Sequence, residues 1–414
     1  MTVHSRRASR NFAIIRTLTC LMFLMFAMTS DAVGSVIPRI ISEFHLSMKA
    51  ASAFQYVPMA AMAVGALLLG FLADRLGRKH TIIIGLTLYG VGSALFALGS
   101  TFGQLVALLA LGGVGISVFK TGALALVGDV STSTTQHTTL MNLLEGFFGI
   151  GSIIGPAIVA VLVTDGLSWK WLYVIAAGVC ALLVVLALIA EYPDAHAGEQ
   201  AASGLWPTLA LLRDPYALAF TCLISLYVAV EVAIYVWMPT YLGIYHGALI
   251  RLVPFALTLF FILRAAGRLL GAWILRKLSW SAALGFLSVG ILLCFAGSLA
   301  GGPAVGLVLL PLSGLFMSVI YPTINSKGIS GFPKSEHGRV SGLLLAFTAI
   351  AAALAPFAMG ALSDAYGSPK YGFVLATGFA VLLAIGLVLN ALTGASMRRL
   401  RAMELSEYND RISG

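Results

Sequence analysis

The chain has 414 residues, of which 59% are hydrophobic and only 10% are charged, and its mean hydropathy is +0.97. This composition excludes an ordinary water-soluble globular protein. The formal net charge of +9 does not indicate a nucleic-acid-binding patch, because the basic residues lie in short segments between long apolar runs.

Apolar runs long enough to cross a bilayer follow one another along the whole chain. A helix needs about 20 apolar residues to span the hydrocarbon core. Twelve runs meet this requirement, at residues 13–36, 49–70, 81–100, 104–128, 138–162, 170–190, 216–243, 251–275, 280–299, 304–326, 339–361 and 371–392. We therefore predict an all-α membrane protein with twelve transmembrane helices.

The basic residues predict how these helices are oriented. If the N-terminus is cytoplasmic, the basic clusters all fall on the cytoplasmic side. These clusters contain Arg6, Arg7, Arg10, Arg75, Arg78, Lys79, Arg276, Lys277, Lys327, Lys334, Arg398, Arg399 and Arg401. An even number of spans returns the C-terminus to the same side. We expect a multi-pass protein of the plasma membrane, the inner membrane in a bacterium, with both termini in the cytoplasm.

A short charged segment, residues 70–79, separates the second and third runs. It reads Gly-Phe-Leu-Ala-Asp-Arg-Leu-Gly-Arg-Lys. Gly70 would let two helices approach closely, and Asp74 suits the positive N-terminus of a neighbouring helix. The segment resembles the G-x-L-a-D-r-x-G-r-k signature that the major facilitator superfamily carries between its second and third helices. The resemblance implies a transporter whose gating involves Gly70, Asp74, Arg75, Gly77 and Arg78.

A polar stretch from about Glu191 to Asp214 divides the spans into six and six, and the two halves repeat at an offset of 200 residues. Matched positions in the two halves are Pro156 and Pro356, Lys170 and Lys370, and Gly178 and Gly378. Parallel six-helix repeats are the architecture of the major facilitator fold, so we predict two pseudo-symmetric six-helix bundles. The predicted domains are an N-terminal bundle at 1–190, a cytoplasmic linker at 191–215, a C-terminal bundle at 216–392 and a cytoplasmic tail at 393–414.

Few charged residues fall within or at the edges of the spans. They are Asp31, Asp129, Glu145 and Glu231, with Lys120, Arg264 and Arg268 as the main basic residues. A charge at bilayer depth costs at least about 2.5 kcal/mol on insertion scales, so it usually faces a cavity or a partner. We predict that Asp31 and Glu231 couple transport to protons, with Glu145 as the next candidate. Lys120 either pairs with Glu145 or contacts the solute, and both interpretations stay open.

Polar and aromatic residues recur on one face of two predicted helices. Tyr227, Glu231 and Tyr235 are spaced by four residues, and Ser318, Tyr321 and Asn325 lie on roughly one face of a helix that Pro322 interrupts. Aromatic rings with amide and carboxylate groups suit a polyhydroxylated ligand. The predicted substrate-binding residues are Asp31, Gln55, Lys120, Asn142, Tyr227, Glu231, Tyr235, Trp237, Ser318 and Asn325.

Three segments extend the family resemblance to both halves of the chain. They are Tyr227-Val228-Ala229-Val230-Glu231 followed by Trp237, the run 314–323 that contains Ser318-Val319-Ile320-Tyr321-Pro322, and Leu140-Met141-Asn142-Leu143-Leu144 leading to Gly151-x-x-x-Gly155-Pro156. They look like the fucose/galactose/glucose:proton symporter branch, which implies a proton-driven sugar importer. The chain departs from that pattern in the fourth helix, where Lys120 stands in place of an acidic residue.

Three classes of function are considered. The first is proton-coupled symport of a sugar or a sugar-like, possibly acidic, solute. The second is proton-driven efflux of drugs or metabolites, although Ala157-Ile158-Val159-Ala160 follows Pro156 where efflux proteins tend to have paired glycines. The third, a sensor or a membrane enzyme, is disfavoured, because the sequence lacks a set of residues that could form a catalytic site.

We expect a monomer in the lipid bilayer that needs no cofactor or metal ion, binds a small solute and protons, and does not bind nucleic acid.

Overall fold

The computed structural model describes residues 3–69, 75–131, 134–192, 209–333 and 336–403. Within these ranges the regular structure is helical, with no β-strand. The longer helices, with the short helices that continue them, are α1 (Val3–Ser30), α2 (Val33–Phe44), α3 (Met48–Ala51), α4 (Ala53–Leu69), α5 (Gly77–Phe96), α6 (Phe102–Val130), α7 (Thr134–Thr164), α8 (Trp171–Ile189), α9 (Pro215–Val232), α10 (Met238–Leu242), α11 (Ala256–Lys277), α12 (Trp280–Met317), α13 (Ile320–Ser330), α14 (His337–Ala365) and α15 (Pro369–Thr393).

Ten helical segments in the described ranges are long and apolar enough to cross a membrane. One of them, Trp280–Ser330, has 51 residues and is kinked at Gly302, whose φ of 69° favours glycine. Because Pro303 follows this kink, the segment divides there into two spans. α4, with 17 residues, is a further apolar helix. The prediction of an all-α protein with twelve membrane-spanning helices is confirmed.

The chain divides into two compact units, Met1–Glu199 (unit 1) and Gln200–Gly414 (unit 2). In unit 1, α7 packs against α1, while α6 packs against α4 and α5. In unit 2, α12 packs against α11 and α15, and α9 packs against α14. Residues 193–208 of the predicted linker and residues 404–414 of the predicted tail lie outside the described residues.

The two units repeat the same local structure at an offset of 200 residues. The backbone N–H of Lys170 donates to the Ser168 hydroxyl at 3.3 Å, and Lys370 makes the same bond to Ser368 at 3.3 Å. The apolar faces also match. The half-exposed residues Leu182, Val185 and Ile189 of α8 correspond to Leu382, Ile385 and Leu389 of α15. Such apolar faces suit contact with lipid, which explains why they are not buried within their units.

Capping residues in the sequence explain where several helices begin and end. His45 adopts a left-handed φ of 50° and ends α2. The Ser47 side chain accepts from the backbone N–H of Ala50 at the start of α3. Asp214 caps α9, with Pro215 in the first turn where a missing N–H is tolerated.

Candidate functional site

The first membrane span is interrupted at Asp31. α1 ends at Ser30 and α2 begins at Val33, so the carboxylate lies at a break inside the apolar segment Asn11–Phe44. Asp31 is half-buried, and its Oδ2 accepts a hydrogen bond from Ser152 Oγ on α7 at 2.6 Å. Its Oδ1 accepts from Ser30 Oγ at 3.1 Å. Broken helices are the usual place for ion and substrate sites in transporters.

Two glycines on α7 bring Ser152 to this carboxylate. A Cβ atom at Gly151 would collide with the Leu24 carbonyl of α1, and one at Gly155 would collide with the Met28 carbonyl. The small residues therefore let the backbones of α1 and α7 approach closely. The sequence pattern Gly151-x-x-x-Gly155 indicates this approach, but Ser152 was not among the predicted site residues.

Lys120, on α6, lies beside two aromatic rings in unit 1. Its Nζ is 4.9 Å from the ring centroid of Phe26 and 5.7 Å from that of Phe23. Glu145 is exposed, and it forms no ion pair with Lys120 among the contacts of the described side chains. The side chain of Asn142 lies outside the described residues.

A cavity of about 40 Å³ lies inside unit 1, and its wall includes Ser30, the residue that precedes Asp31. It is large enough for two or three water molecules. Gln55 lines the cavity and is 2% exposed, and its Oε1 has no hydrogen-bond partner among the described atoms. The Tyr89 hydroxyl, on the same wall, donates to Thr29 Oγ1 at 2.6 Å.

In unit 2 the predicted residue Glu231 forms an ion pair with Arg264 of α11. Glu231 Oε1 is 2.5 Å from Arg264 Nη2, and Glu231 is 8% exposed. Tyr227 is fully buried, and its hydroxyl lies 2.9 Å from the Met317 carbonyl and 3.2 Å from Glu231 Oε1. Arg264 was recognised in the sequence only as a basic residue within a span, because sequence alone does not show which helices pack together.

Proline explains two irregular segments close to this pair. Pro239 has no N–H to donate to the Tyr235 carbonyl, and a π-helical turn, Ala233–Trp237, precedes it. Pro322 cannot donate to the Ser318 carbonyl, and the helix breaks between Met317 and Ile320. The prediction that Pro322 interrupts its helix agrees with this break.

Several other predicted binding residues already use their polar groups within unit 2. The Trp237 indole N–H donates to the Pro356 carbonyl at 3.1 Å, and Trp237 is 4% exposed. The Ser318 hydroxyl donates to the Leu315 carbonyl of its own helix at 2.9 Å. Tyr235 and Asn325 are half-buried, in the π-helical turn and in α13.

The predicted gating segment is described only in part. Gly70 and Asp74 lie outside the described residues, whereas Arg75 is exposed and Gly77 begins α5 with a φ of 79°. Arg78 Nε forms an ion pair with Asp129 Oδ2 of α6 at 2.8 Å. This contact joins the beginning of α5 to the end of α6, and the sequence had not indicated it.

The described residues contain no group of three or more histidine, cysteine, aspartate or glutamate side chains that could hold a metal ion. Within each unit the structure brings a carboxylate, hydroxyls and a cationic side chain into one region, and unit 1 adds the amide of Gln55. Such a set can bind a polar solute and exchange protons.

Comparison with known proteins gives relatives of two kinds. The L-fucose-proton symporter of Escherichia coli (strain K12) is 26% identical over 90% of this chain and 92% of its own length. A glucose/galactose transporter of Brucella abortus is 24% identical over 88% of this chain and 92% of its own length. Multidrug resistance protein 3 of Bacillus subtilis (strain 168) is 29% identical over 44% of this chain. The chain spans only 34% of the length of that multidrug relative.

Solved structures and a family model identify the fold. A mutant of the nucleoside transporter NupG matches with a TM-score of 0.74 at 16% identity, over 91% of this chain and 99% of that one. At this identity the likeness shows the fold alone. The family model described as Major Facilitator Superfamily matches residues 19–356. The chain therefore belongs to the Major Facilitator Superfamily of membrane transporters and is not an enzyme.

Proposed function

We propose that this transporter carries a sugar or a sugar-like, possibly acidic, solute together with protons by alternating access. The relatives that match nearly the whole chain are named as a fucose-proton symporter and a glucose/galactose transporter. The multidrug relative matches less than half of it. The proposal places the protein in a plasma membrane, the inner membrane in a bacterium, with both termini in the cytoplasm.

The hydrogen bonds of Asp31 carry the proposal of proton coupling. Ionised Asp31 accepts from the Ser152 hydroxyl at 2.6 Å. Protonated Asp31 can instead donate to the Ser152 oxygen, and the Ser152 hydroxyl can then donate to the Phe148 carbonyl, which is 3.1 Å away. Neither protonation state leaves these groups unpaired, so a proton can be gained or lost at a small cost in hydrogen bonds.

Glu231 is less suited to carry the proton. Protonation would neutralise the Glu231 carboxylate and remove its ionic attraction to Arg264, although the remaining carbonyl oxygen could still accept a hydrogen bond. Breaking a buried ion pair leaves the remaining charge uncompensated. We therefore propose Asp31 as the coupling residue and assign Glu231, with Arg264, to ordering the helices of unit 2.

The test compares Asp31→Asn with Ser152→Ala and Ser152→Thr in proteoliposomes. The asparagine variant should still exchange labelled solute between the two sides but lose accumulation driven by an imposed pH gradient. Ser152→Ala should lower gradient-driven accumulation, and Ser152→Thr should retain it because the hydroxyl is kept. Asp165→Asn, which changes an exposed carboxylate between α7 and α8, serves as the matched control.

Full gradient-driven accumulation by Asp31→Asn would exclude Asp31 as the coupling residue. Glu231 and then Glu145 would be examined next. Solute-stimulated alkalinisation of the medium, measured with the wild-type protein in cells, would show directly whether protons move with the solute.

A second candidate function is proton-driven efflux of drugs or metabolites. The observation in its favour is the 29% identity to a multidrug resistance protein over 181 residues. Everted vesicles energised by respiration distinguish the two. An antiporter accumulates a fluorescent drug in such vesicles, whereas a sugar symporter does not.

A further inference from the structure

We propose that the cavity in unit 1 binds a hydroxyl group of a neutral solute, and that Gln55 Oε1 accepts its hydrogen bond. The inference rests on the proposed function, because it names the class of solute that the same site takes. It also assigns Gln55 a role in selecting the solute, in addition to its position in the cavity wall.

The cavity is built from six helices of unit 1, since Val33 of α2 also lines it. Its wall includes Phe26 from α1, Gln55 from α4, Tyr89 from α5, Ile116 from α6 and Tyr173 from α8. The cavity is therefore an internal feature of one bundle, and its description does not depend on how the two units are arranged.

Gln55 Oε1 is a buried acceptor that lacks a donor among the described atoms. Three hydroxyls on the cavity wall already have partners within unit 1. Tyr89 donates to Thr29 at 2.6 Å, Thr29 lies 3.0 Å from the Phe26 carbonyl, and Ser30 donates to Asp31 at 3.1 Å. A buried acceptor without a partner is unfavourable, so the site is stabilised when a ligand supplies an O–H group.

The charges around the cavity favour a neutral ligand group. Every described side chain that lines the cavity is uncharged. One charge of each sign lies close to the wall: Lys120 Nζ is 4.9 Å from the ring centroid of Phe26, and Asp31 follows Ser30 in the sequence. The two charges offset each other, and burial penalises a charged ligand group of either sign.

The remaining wall suits the carbon face of a sugar. The aromatic residues on it are Phe26, Phe54, Tyr89, Phe96 and Tyr173. Aromatic rings pack against C–H groups, whereas the few polar atoms fix orientation. The combination indicates a solute that carries both hydroxyls and an apolar face.

The experiment measures binding to the purified full-length protein for the wild type and for Gln55→Met. Methionine keeps the length of the side chain and removes the acceptor. The probes are D-galactose, D-glucose and L-fucose with their monodeoxy analogues, D-galacturonate, and uridine with its deoxy analogues. Thr221→Val is the matched control, since Thr221 Oγ1 in unit 2 is also buried without a partner among the described atoms.

We expect the wild type to bind a neutral probe about tenfold or more tightly than the analogue that lacks one hydroxyl. Gln55→Met should abolish this difference by weakening binding of the parent compound, without lowering thermal stability. Thr221→Val should keep the difference. If the tightest neutral probe is uridine, sugar transport is wrong and the inference still holds, provided that Gln55→Met removes the hydroxyl preference.

Three results would overturn the inference. One is a hydroxyl preference that persists unchanged in Gln55→Met. Another is a wild-type protein that binds only D-galacturonate or none of the probes. The third is a large loss of thermal stability in Gln55→Met with unchanged affinity, which would make Gln55 a packing residue. None of these measurements depends on Asp31, so the proposal of proton coupling can be disproved without affecting this inference.

Discussion

Lys120 lies against two aromatic rings, and this environment bears on the two interpretations that the sequence left open. The faces of Phe23 and Phe26 lie within 5.7 Å of its ammonium group. Such cation–π contacts are worth about 2 kcal/mol when desolvated, which is less than the cost of burying a charge. Glu145, the expected ion-pair partner, is exposed. We therefore favour contact between Lys120 and a polar group of the solute.

Lys120→Ala is expected to fold normally and to bind solute about tenfold more weakly, because the ammonium group is lost from the site and the described ion pairs do not include one between Lys120 and Glu145. Solute binding and thermal stability of the purified variant are the measurements. Adding Glu145→Gln should leave both the solute affinity and the thermal stability at the values of Lys120→Ala. Glu145→Gln alone is the control. Recovery of stability in the double variant would instead establish a structural ion pair.

The charged residues of the candidate site could be predicted from the sequence, but their partners could not. Asp31, Lys120 and Glu231 stand out because charge is rare in an apolar span. Ser152 and Arg264 become partners only after helices distant in the sequence pack together. The Gly151-x-x-x-Gly155 pattern shows that α7 has a close neighbour without showing which helix that is.

At the scale of helices, the seventh span supplies hydrogen-bond donors to interrupted helices nearby in unit 2. Tyr227 donates to the Met317 carbonyl at 2.9 Å, where α12 ends. Tyr241 donates to the Ser298 carbonyl at 3.0 Å, four residues before the kink at Gly302. Each break frees carbonyl groups that must find donors in an environment without water. Tyr227 was predicted to bind the solute; in the structure its buried hydroxyl, like that of Tyr241, donates to a backbone carbonyl.

Tyr227→Phe should destabilise the protein by about 1 kcal/mol, because the Met317 carbonyl loses a buried donor while the ring still packs. Reversible unfolding in mixed micelles measures this difference. Tyr366→Phe, at a 62% exposed tyrosine, is the matched control and should have little effect. Equal stability of the two variants would show that the Met317 carbonyl finds another donor.

In each unit a residue at or near the beginning of the first membrane span is hydrogen-bonded to the segment after the last span. In unit 1 the Asn11 side chain donates to the Glu191 carbonyl at 2.6 Å and accepts from the Glu191 N–H at 2.8 Å. In unit 2 Asp214 forms two hydrogen bonds with Arg399, at 3.1 and 2.8 Å. The Arg399 guanidinium also lies 4.9 Å from the Tyr216 ring centroid. Both units thus connect the first span to the segment after the last span, unit 1 through amide hydrogen bonds and unit 2 through an ion pair.

The Asp214–Arg399 contact should make stability depend on pH. Burial raises the pKa of Asp214, but hydrogen bonds from Arg399 and from two backbone N–H groups outweigh it and hold the pKa below its ordinary value of 3.8. Because the folded-state pKa is the lower one, the stabilisation is present above pH 3.8 and is lost as the pH falls through the folded-state value.

Asp214→Asn keeps the helix cap and removes the charge, so it isolates this effect. The wild type should be more stable than Asp214→Asn at neutral pH, and the gap between their unfolding temperatures should narrow well below pH 3.8. A gap of the same size at both pH values would show that the lost contact is not ionic.

At the scale of the molecule, the repeat explains why the fold was predictable and where prediction stopped. Twelve apolar runs and an offset of 200 residues fix the number and order of helices, since each run must satisfy its backbone as a helix. The sequence marked Pro322, whereas the break lies near Ser318, four residues earlier, and no proline lies four residues after Asp31 to mark that interruption. The cavity beside Gln55 depends on packing among six helices, and no local sequence pattern predicts such packing.

The repeat also predicts that equivalent loops of the two units lie on the same side of the membrane. Leu76 and Arg276 are exposed, lie 200 residues apart and accompany basic clusters, so both should be cytoplasmic. Asp165 and Tyr366 are exposed in the turns between the last two spans of each unit and should face the opposite side.

Single cysteines introduced at these four positions should divide into two classes by their accessibility. The background carries Cys222→Ala, because Cys222 is exposed. A membrane-impermeant maleimide added to intact cells should label the cysteines at 165 and 366, and label those at 76 and 276 only after permeabilisation. Labelling of either member of the second pair in intact cells would contradict the proposed orientation.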